Sequence, residues 1–96
     1  MALFNISAYI FPVHLTRTVN IGESTSLSVT STLPSDELRW RKDGSPNLLP
    51  GQQNKPTIQF ENVTLADAGI YECHRVGIRN SSSGFMKLIV RRKYDI

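Results

Sequence analysis

The segment DAGIYEC at residues 67–73 constrains the fold more than any other part of the chain. A tyrosine two residues before a cysteine is typical of a tight corner, in which the phenol hydroxyl bonds to upstream backbone. Asp67 and Gly69 supply the turn chemistry, since glycine adopts backbone conformations that a side chain would strain. The segment therefore predicts a turn followed by a buried strand with Tyr71 and Cys73 on its inner face.

Another strand is predicted at residues 38–42, where Leu38 and Trp40 alternate with basic residues. Tryptophan upstream and Tyr-x-Cys downstream resemble the third and sixth strands of an immunoglobulin-like sandwich. Cys73 follows Trp40 by 33 positions, which leaves little room for the two extra strands of a variable-type domain. The predicted fold class is all-β, an immunoglobulin-like sandwich of two antiparallel sheets, constant-like or intermediate in type.

Alternation and turn residues predict the other strands. Pro12 cannot donate a backbone hydrogen bond, so we expect it to break the first strand and let the chain change sheets. Strands are predicted at residues 4–10, 15–19, 24–30, 57–60 and 84–91, with turns or loops at 20–23, 33–36 and 42–45. Their inward side chains are expected to be Thr25, Leu27, Val29, Ile58, Phe60, Met86, Leu88 and Val90.

Length and composition predict one domain over residues 1–96, since 96 residues of which 40% are hydrophobic suffice for one small core. No run of 18 apolar residues is present to span a membrane, and the first residues match a signal peptide poorly. We interpret the chain as a fragment of a larger protein, with Met1 added for expression.

The single cysteine means that the usual inter-sheet disulfide is missing, at a cost of about 4 kcal/mol in the chain-entropy model. Val29 occupies the position expected to face Cys73. We expect Cys73 to be a buried free thiol with a structural role. An intermolecular disulfide and a reactive or metal-linked thiol are the alternatives.

Two features bear on the compartment in opposite directions. Intracellular immunoglobulin domains do without the disulfide, because thiols stay reduced there. Glycosylation sequons begin at Asn5, Asn62 and Asn80, all at predicted strand ends or loops where a glycan can project. The three sequons favour an extracellular origin.

The ending LIVRR at residues 88–92, together with the corner at 67–71, resembles the second immunoglobulin domain of the Tie family, the angiopoietin-receptor tyrosine kinases. The likeness extends to T-V-x-x-G at 18–22 and KDGS at 42–45. That family's second domain also lacks the inter-sheet disulfide. KYDI at 93–96 replaces the cysteine that opens the family's next repeats, which implies a divergent or invertebrate relative. A kinase domain would lie elsewhere in the parent chain.

Catalysis is not predicted. His14 and His74 lie on different predicted strands without metal-like spacing to Cys73 or a carboxylate, and we interpret both as surface histidines. The sequence has no phosphate-binding loop and no nucleophile elbow. No catalytic, cofactor-binding or metal-binding residue is therefore assigned, and we expect this domain not to be an enzyme.

One face of the predicted sandwich combines basic and apolar groups. Desolvation of the apolar groups can drive protein association, although arginine and lysine also simply keep a sheet soluble. The basic residues lack a stacking aromatic ladder, so nucleic acid is not an expected partner despite the net charge of +3. The outward residues are predicted to be Arg39, Arg41, Ile70, Glu72, His74, Phe85, Lys87, Ile89 and Arg91.

A second candidate site follows the turn at 42–45. Leu48 and Leu49 are adjacent apolar residues between two prolines, and alternation can bury one of them. In Tie-like receptors the ligand contacts this tip of the second domain, so we expect the exposed leucine to anchor a protein partner, with Asn47 at the rim. The competing site is the sheet face around Arg39 and Arg41. Alternatively, one leucine plugs the end of the sandwich and the other is incidental.

These features together predict an extracellular recognition or spacer module of a cell-surface receptor. Its partners would be a protein ligand or neighbouring domains of the same receptor, without direct membrane contact. The alternatives are a structural domain of an intracellular filament protein and a soluble immune-type recognition molecule.

Overall fold

The computed structural model describes residues 9–45 and 52–92, without the side chains of 78–82. The described chain is almost entirely strand and turn, with single 3₁₀ turns at Ser35–Glu37 and Leu65–Asp67. Its strands are β1 (Ile10–Pro12), β2 (Thr16–Asn20), β3 (Thr25–Ser31), β4 (Leu38–Lys42), β5 (Thr57–Phe60), β6 (Gly69–Arg75) and β7 (Ile78–Arg91).

The strands form two sheets that pack face to face. One has the order β1-β3-β5 and the other the order β2-β7-β6-β4. Neighbours run antiparallel except β2, which runs parallel to β7 at the edge of the larger sheet. The prediction of an all-β sandwich without an inter-sheet disulfide is confirmed.

Inward side chains from both sheets form one hydrophobic core. Trp40, Tyr71 and Cys73 are at most 2% exposed, and Val29 from the opposite sheet is 6% exposed. Thr25, predicted to point inward, is half-buried and lies outside this cluster. The cluster consists of Ile10, Val19, Leu27, Val29, Leu38, Trp40, Ile58, Val63, Tyr71, Cys73, Met86 and Leu88, with Leu33, Phe60 and Val90 packed against it.

Pro12 is the last residue of β1 and the chain changes sheets after it, as predicted, but Pro12 does not break the pairing of β1 with β3. Pro12 pairs with Val29 inside β1, and the next residue, Val13, donates its N–H to the Ser28 carbonyl at 2.9 Å. β1 is an edge strand, so the missing N–H of Pro12 removes no ladder bond. The chain changes sheets after Pro12, passing so close to Gly84 that a Cβ there would lie 3.1 Å from the proline ring. Residues 4–8 of the predicted strand lie outside the described residues.

The last strand begins earlier than predicted. β7 starts at Ile78, six residues before the predicted start at Gly84, because the hairpin with β6 closes at the Arg75–Ile78 pair. Gly77, with φ of 75°, allows the tight reversal between them. The pairing register shifts between His74 and Arg75. Sequence alternation starts clearly only beyond that irregularity, which explains the short prediction.

The turn after β4 has the structure that its sequence predicts. Asp43 and Gly44 have φ of 50° and 81°, and Lys42 and Ser45 exchange two backbone hydrogen bonds of 2.8 Å. Positive φ at both central positions is the geometry that Asp-Gly favours in two-residue hairpin turns.

Candidate functional site

The outer face of the four-stranded sheet carries the mixture of basic and apolar side chains that the sequence predicts. Cross-strand pairing brings these side chains together on one surface. Their burial differs, so the face divides into two parts. We call Arg39, Arg41, Glu72 and His74 the closed half, and Ile70, Phe85, Lys87, Ile89 and Arg91 the open patch.

The closed half centres on His74, which is only 6% exposed, so the prediction that it is a surface histidine is wrong. The Arg41 Nε–H donates to His74 Nε2 at 3.2 Å, which leaves Nδ1 to donate to the Arg75 carbonyl at 3.0 Å. These bonds fit a neutral ring with its proton on Nδ1. Glu72, which lies between Arg41 and Phe85 in the register, is also buried at 7% exposure.

Both arginines of the predicted sheet-face site bond to their own chain. Arg39 donates to the Asp36 carbonyl at 2.8 Å and to the side chain of Asn54. Arg41 donates to the Gly44 carbonyl at 2.9 Å in addition to His74. The two side chains are half-buried. The bond from Arg41 to His74 lies within the closed half, and a partner would have to displace the bonds of either arginine to use its donors fully.

The open patch presents large apolar side chains to solvent. Phe85 is 55% exposed and Ile70 is 42% exposed. Lys87 pairs with Ile70 on one side and with Thr16 of β2 on the other, and it is exposed, as is Arg91. Thr16 and Thr18 of β2 pair with Lys87 and Ile89, and Phe85 lies before the first of these pairs. The patch therefore combines exposed apolar surface with positive charge.

The predicted tip residues Asn47, Leu48 and Leu49 lie outside the described residues, so the tip site stays a prediction. The turn that leads to them is firmly held. Asp43 donates its N–H to the Ile70 carbonyl at 2.7 Å, and its Oδ1 accepts from the Ile70 N–H at 2.9 Å. These bonds fix the end of β4 against the start of β6.

The corner before β6 fixes the core side of the same strand. The Tyr71 hydroxyl donates to the Asp67 carbonyl at 2.6 Å. Burial, with the nearby Asp67 and Asp43 carboxylates, raises the pKa of Tyr71 well above its ordinary value. Lys42 donates to the Ala66 carbonyl, and its ammonium lies 5.9 Å from the Tyr71 ring centroid. The corner is a structural element without accessible chemistry.

Cys73 is a free thiol at 0% exposure, in the same core cluster as Val29. Burial, and to a lesser extent the Glu72 carboxylate, raises its pKa to about 12. A thiol in this state is a poor nucleophile and a poor metal ligand at neutral pH.

Of the three sequon asparagines, only Asn62 has a side chain that the structure describes. Asn62 is exposed and has a φ of 50° in the turn after β5. The Thr64 hydroxyl contacts the Asp67 carboxylate at 3.4 Å, within a capping box of the following 3₁₀ turn. Asn5 lies outside the described residues, and the side chain of Asn80 is not described.

The described residues give little support for a metal site or a membrane-spanning helix. Among them, no group of three or more His, Cys, Asp or Glu side chains is arranged to hold a metal ion. None of the helical turns in the same part of the chain has the length and hydropathy for a membrane span. His14 is exposed between β1 and β2, in neither strand, so the prediction of a strand position for it is wrong.

Comparison with protein-family models matches residues 10–75 to the immunoglobulin domain. That match covers more than half of the chain. The chain belongs to the immunoglobulin domain family. A comparison with curated protein sequences gives no match.

Solved structures similar to this immunoglobulin domain include several of the Dscam proteins. The N-terminal eight Ig domains of Down Syndrome Cell Adhesion Molecule isoform 1.30.30 match with a TM-score of 0.75 and 23% identity, over 94% of this chain and 13% of that one. A structure that explains Dscam isoform specificity matches with a TM-score of 0.71 and 24% identity, over 88% and 21%. This immunoglobulin domain thus spans about a fifth or less of those chains, and the similarity shows the fold.

Proposed function

We propose that this immunoglobulin domain is a protein-recognition module in the extracellular part of a cell-surface receptor, with the open patch as its binding face. The observation that carries the proposal is the 55% exposure of Phe85 on a sheet face that also presents Lys87. An exposed aromatic ring next to positive charge is costly to leave in water and useful to bury against a partner.

The chemistry of the open patch indicates what kind of protein it would bind. Covering the exposed part of Phe85 would contribute about 2 kcal/mol, and Ile70 and Ile89 extend the apolar surface around it. Lys87 and Arg91 favour a partner with carboxylates around an apolar centre, because complementary charge steers association and sets the register. No catalysis by this domain is part of the proposal.

The receptor setting rests on two kinds of support. The similar Dscam structures belong to a protein whose name describes cell adhesion, and they share this fold at 23–24% identity. The sequons at Asn5, Asn62 and Asn80 suit an extracellular location. The finer assignment, to a Tie-like receptor tyrosine kinase, rests on the LIVRR ending and the corner at 67–71. Residues 1–96 would then be a single domain of a larger receptor.

A second candidate is a structural domain of an intracellular filament protein. It is favoured by one observation, the free thiol of Cys73 at a core position where extracellular relatives usually have a disulfide. A soluble immune-type recognition molecule would use the same open patch without a membrane anchor. The full-length transcript distinguishes the three, because a signal peptide with a transmembrane segment is expected for the receptor, a signal peptide alone for the soluble molecule and neither for the filament protein, and a kinase domain would support the Tie-like assignment.

The binding face is tested by screening the domain, displayed as multimers, against a library of extracellular domains. We expect a partner whose binding weakens at least about tenfold with Phe85→Ala and with Lys87→Glu. Phe11→Ala is the matched control, because Phe11 is 60% exposed but lies on the smaller sheet, on β1.

Two further sets of variants separate the competing sites. If Asn47→Ala or the leucine changes Leu48→Ala and Leu49→Ala abolish binding while Phe85→Ala does not, the tip is the site. If charge reversal at Arg39 and Arg41 abolishes binding with folding retained, while Phe85→Ala does not, the closed half is the site. Either result would overturn the open patch as the binding face.

A further inference from the structure

The two sheets each end in an edge strand on the same side of the sandwich, β4 in one sheet and β5 in the other. Residues 52–56 pass between these edges. The Asn54 N–H donates to the Leu38 carbonyl at 3.2 Å, and the Pro56 carbonyl accepts from Val29 at 2.8 Å. Unpaired backbone groups on an edge strand are a template for pairing with another chain, so how they are satisfied matters.

The outward backbone groups of β4 are bonded at both ends of the strand. Leu38 donates to the Ser35 carbonyl and accepts from Asn54, and Lys42 exchanges two bonds with Ser45. The middle position, Trp40, is satisfied by a side chain. Gln53 Oε1 accepts from the Trp40 N–H at 2.8 Å. The middle of the edge therefore depends on Gln53.

The Gln53 side chain also bonds to the Trp40 carbonyl. Gln53 Nε2 donates to the Trp40 carbonyl at 3.1 Å, so one amide supplies both the acceptor and the donor. A residue on a neighbouring antiparallel strand makes the same two bonds in a hydrogen-bonded pair. Gln53 thus takes the place of a neighbouring strand at the centre of the edge.

Gln52 makes a corresponding pair of bonds with the backbone of Gln59, on the edge strand β5 of the other sheet. Gln52 Nε2 donates to the Gln59 carbonyl at 3.1 Å, and Gln52 Oε1 accepts from the Gln59 N–H at 3.4 Å. Successive side chains of an extended segment point to opposite sides, which lets adjacent glutamines reach different sheets. The bonds on β4 are partly buried and those on β5 are exposed, so Gln53 holds the more strongly protected edge.

We propose that Gln52 and Gln53 form an edge clasp, in which Gln53 prevents β4 from pairing with β4 of a second copy of this chain and Gln52 occupies the backbone groups of Gln59 on β5. Two β4 strands related by a two-fold axis at Trp40 would form a hydrogen-bonded antiparallel pair. That pair would use the Trp40 N–H and carbonyl that Gln53 now occupies. In this register Arg39 of one copy would face Arg41 of the other, so like charge opposes the same pairing.

The test compares the oligomeric state of four proteins: the unaltered chain, Gln53→Ala, Gln52→Ala and the control Gln59→Ala. Gln59 is exposed and contributes only its backbone to the clasp. Sedimentation is measured over a concentration series at ~0.15 M and ~1 M salt, since salt screens the arginines. Gln53→Ala should dimerise, more strongly at high salt, while Gln59→Ala stays monomeric.

Amide hydrogen exchange on dilute samples locates the effect. The Trp40 amide should exchange at least about tenfold faster in Gln53→Ala, and the Gln59 amide should do so in Gln52→Ala. The amides of β6 and β7 should exchange at unchanged rates in both variants. Gln53→Met keeps the length of the side chain without its hydrogen bonds, and it replaces Gln53→Ala if the smaller residue impairs folding.

A charge change distinguishes the predicted pairing from general aggregation. Adding Arg39→Glu to Gln53→Ala should strengthen the dimer at ~0.15 M salt, because a carboxylate would then face Arg41 of the other copy. A Gln53→Ala protein that remains monomeric at every concentration, although Trp40 exchanges faster, would overturn the proposal. Unchanged exchange at Trp40 would overturn it as well.

Discussion

The closed half and the open patch lie on one sheet face and have the same alternating pattern, yet they differ in what covers them. On the closed half, Arg41 reaches across from β4 and bonds to His74 on β6. On the open patch, β2 pairs with β7 only from Lys87 onwards, so Phe85 has no β2 residue beside it and is 55% exposed. On this sheet face, outer side chains are buried where a long side chain of the neighbouring strand reaches them.

The difference has a functional consequence. Residues 71–74 of β6 are buried on both sides, with Tyr71 and Cys73 inside and Glu72 and His74 outside. Surface that is already satisfied by intramolecular bonds offers a partner little, since those bonds must be broken before new ones form. This difference is why we propose the open patch as the binding face, since burial of Phe85 there needs none of the hydrogen bonds of the closed half to be broken.

The largest effect is expected for the labelling of Cys73, which tests whether β6 is closed from both sides. The thiol should react at least about 10³-fold more slowly in the native protein than in denaturant, because reaction needs an opening of the core. A chromogenic disulfide reagent measures this without background, since Cys73 is the single cysteine. A labelling rate in the native protein within tenfold of the rate in denaturant would show that β6 is not closed from both sides.

The next largest effect is expected when one side chain in each half is replaced by alanine. His74→Ala should lower the free energy of unfolding by about 2–3 kcal/mol, because it removes a buried ring and its bonds to the Arg41 Nε–H and the Arg75 carbonyl. Phe85→Ala is the matched change on the open patch and should stay within about 0.5 kcal/mol. Urea denaturation measures both, and equal costs would show that the halves do not differ.

Tyr71→Phe probes the inner side of β6 at the corner. It should lower the free energy of unfolding by about 1–3 kcal/mol, because the hydroxyl bond to the Asp67 carbonyl is lost. The T-shaped contact with the Phe60 ring, at 5.3 Å between centroids, is retained in the variant. An unchanged denaturation midpoint would mean that water replaces the bond without cost.

Alkaline pH is expected to lower the free energy of unfolding by the smallest amount, counted per pH unit. The pKa of Cys73 rises from 9.0 to about 12 on folding, so the folded state favours the protonated thiol. Its contribution to stability is complete below about pH 9 and is lost as the pH rises towards 12, by about 1.4 kcal/mol per pH unit. Tyr71, whose pKa is also raised, adds to the loss at the upper end. Cys73→Ala should show a shallower decline in urea titrations, and an equal slope would contradict this assignment.

Much of the fold could be predicted from local sequence. Asp43-Gly44 specifies a two-residue turn through positive φ, and the corner before Tyr71 follows from turn residues a few positions away. Alternation correctly gave the inward positions of Leu27, Trp40 and most other core residues, because a strand's two sides follow directly from its period of two.

The candidate site was predicted less completely. Alternation placed Phe85 and Lys87 on the outer face, but it placed His74 there as well without showing that His74 is covered. It also treated Arg39 and Arg41 as available for binding, although both bond within the chain. A period of two tells which way a side chain points and carries no information about the strand beside it.

The sandwich, the turn at Asp43 and the free thiol of Cys73 follow from the amino-acid sequence, through strand alternation, the spacing of Trp40 and Cys73, turn residues and the cysteine count. The burial of His74 and the edge bonds of Gln52 and Gln53 appear only in the folded chain. Those contacts join residues up to 33 positions apart across a sheet or its edge, as Arg41 and His74 do. Their partners are set by strand order and register, which no local pattern encodes.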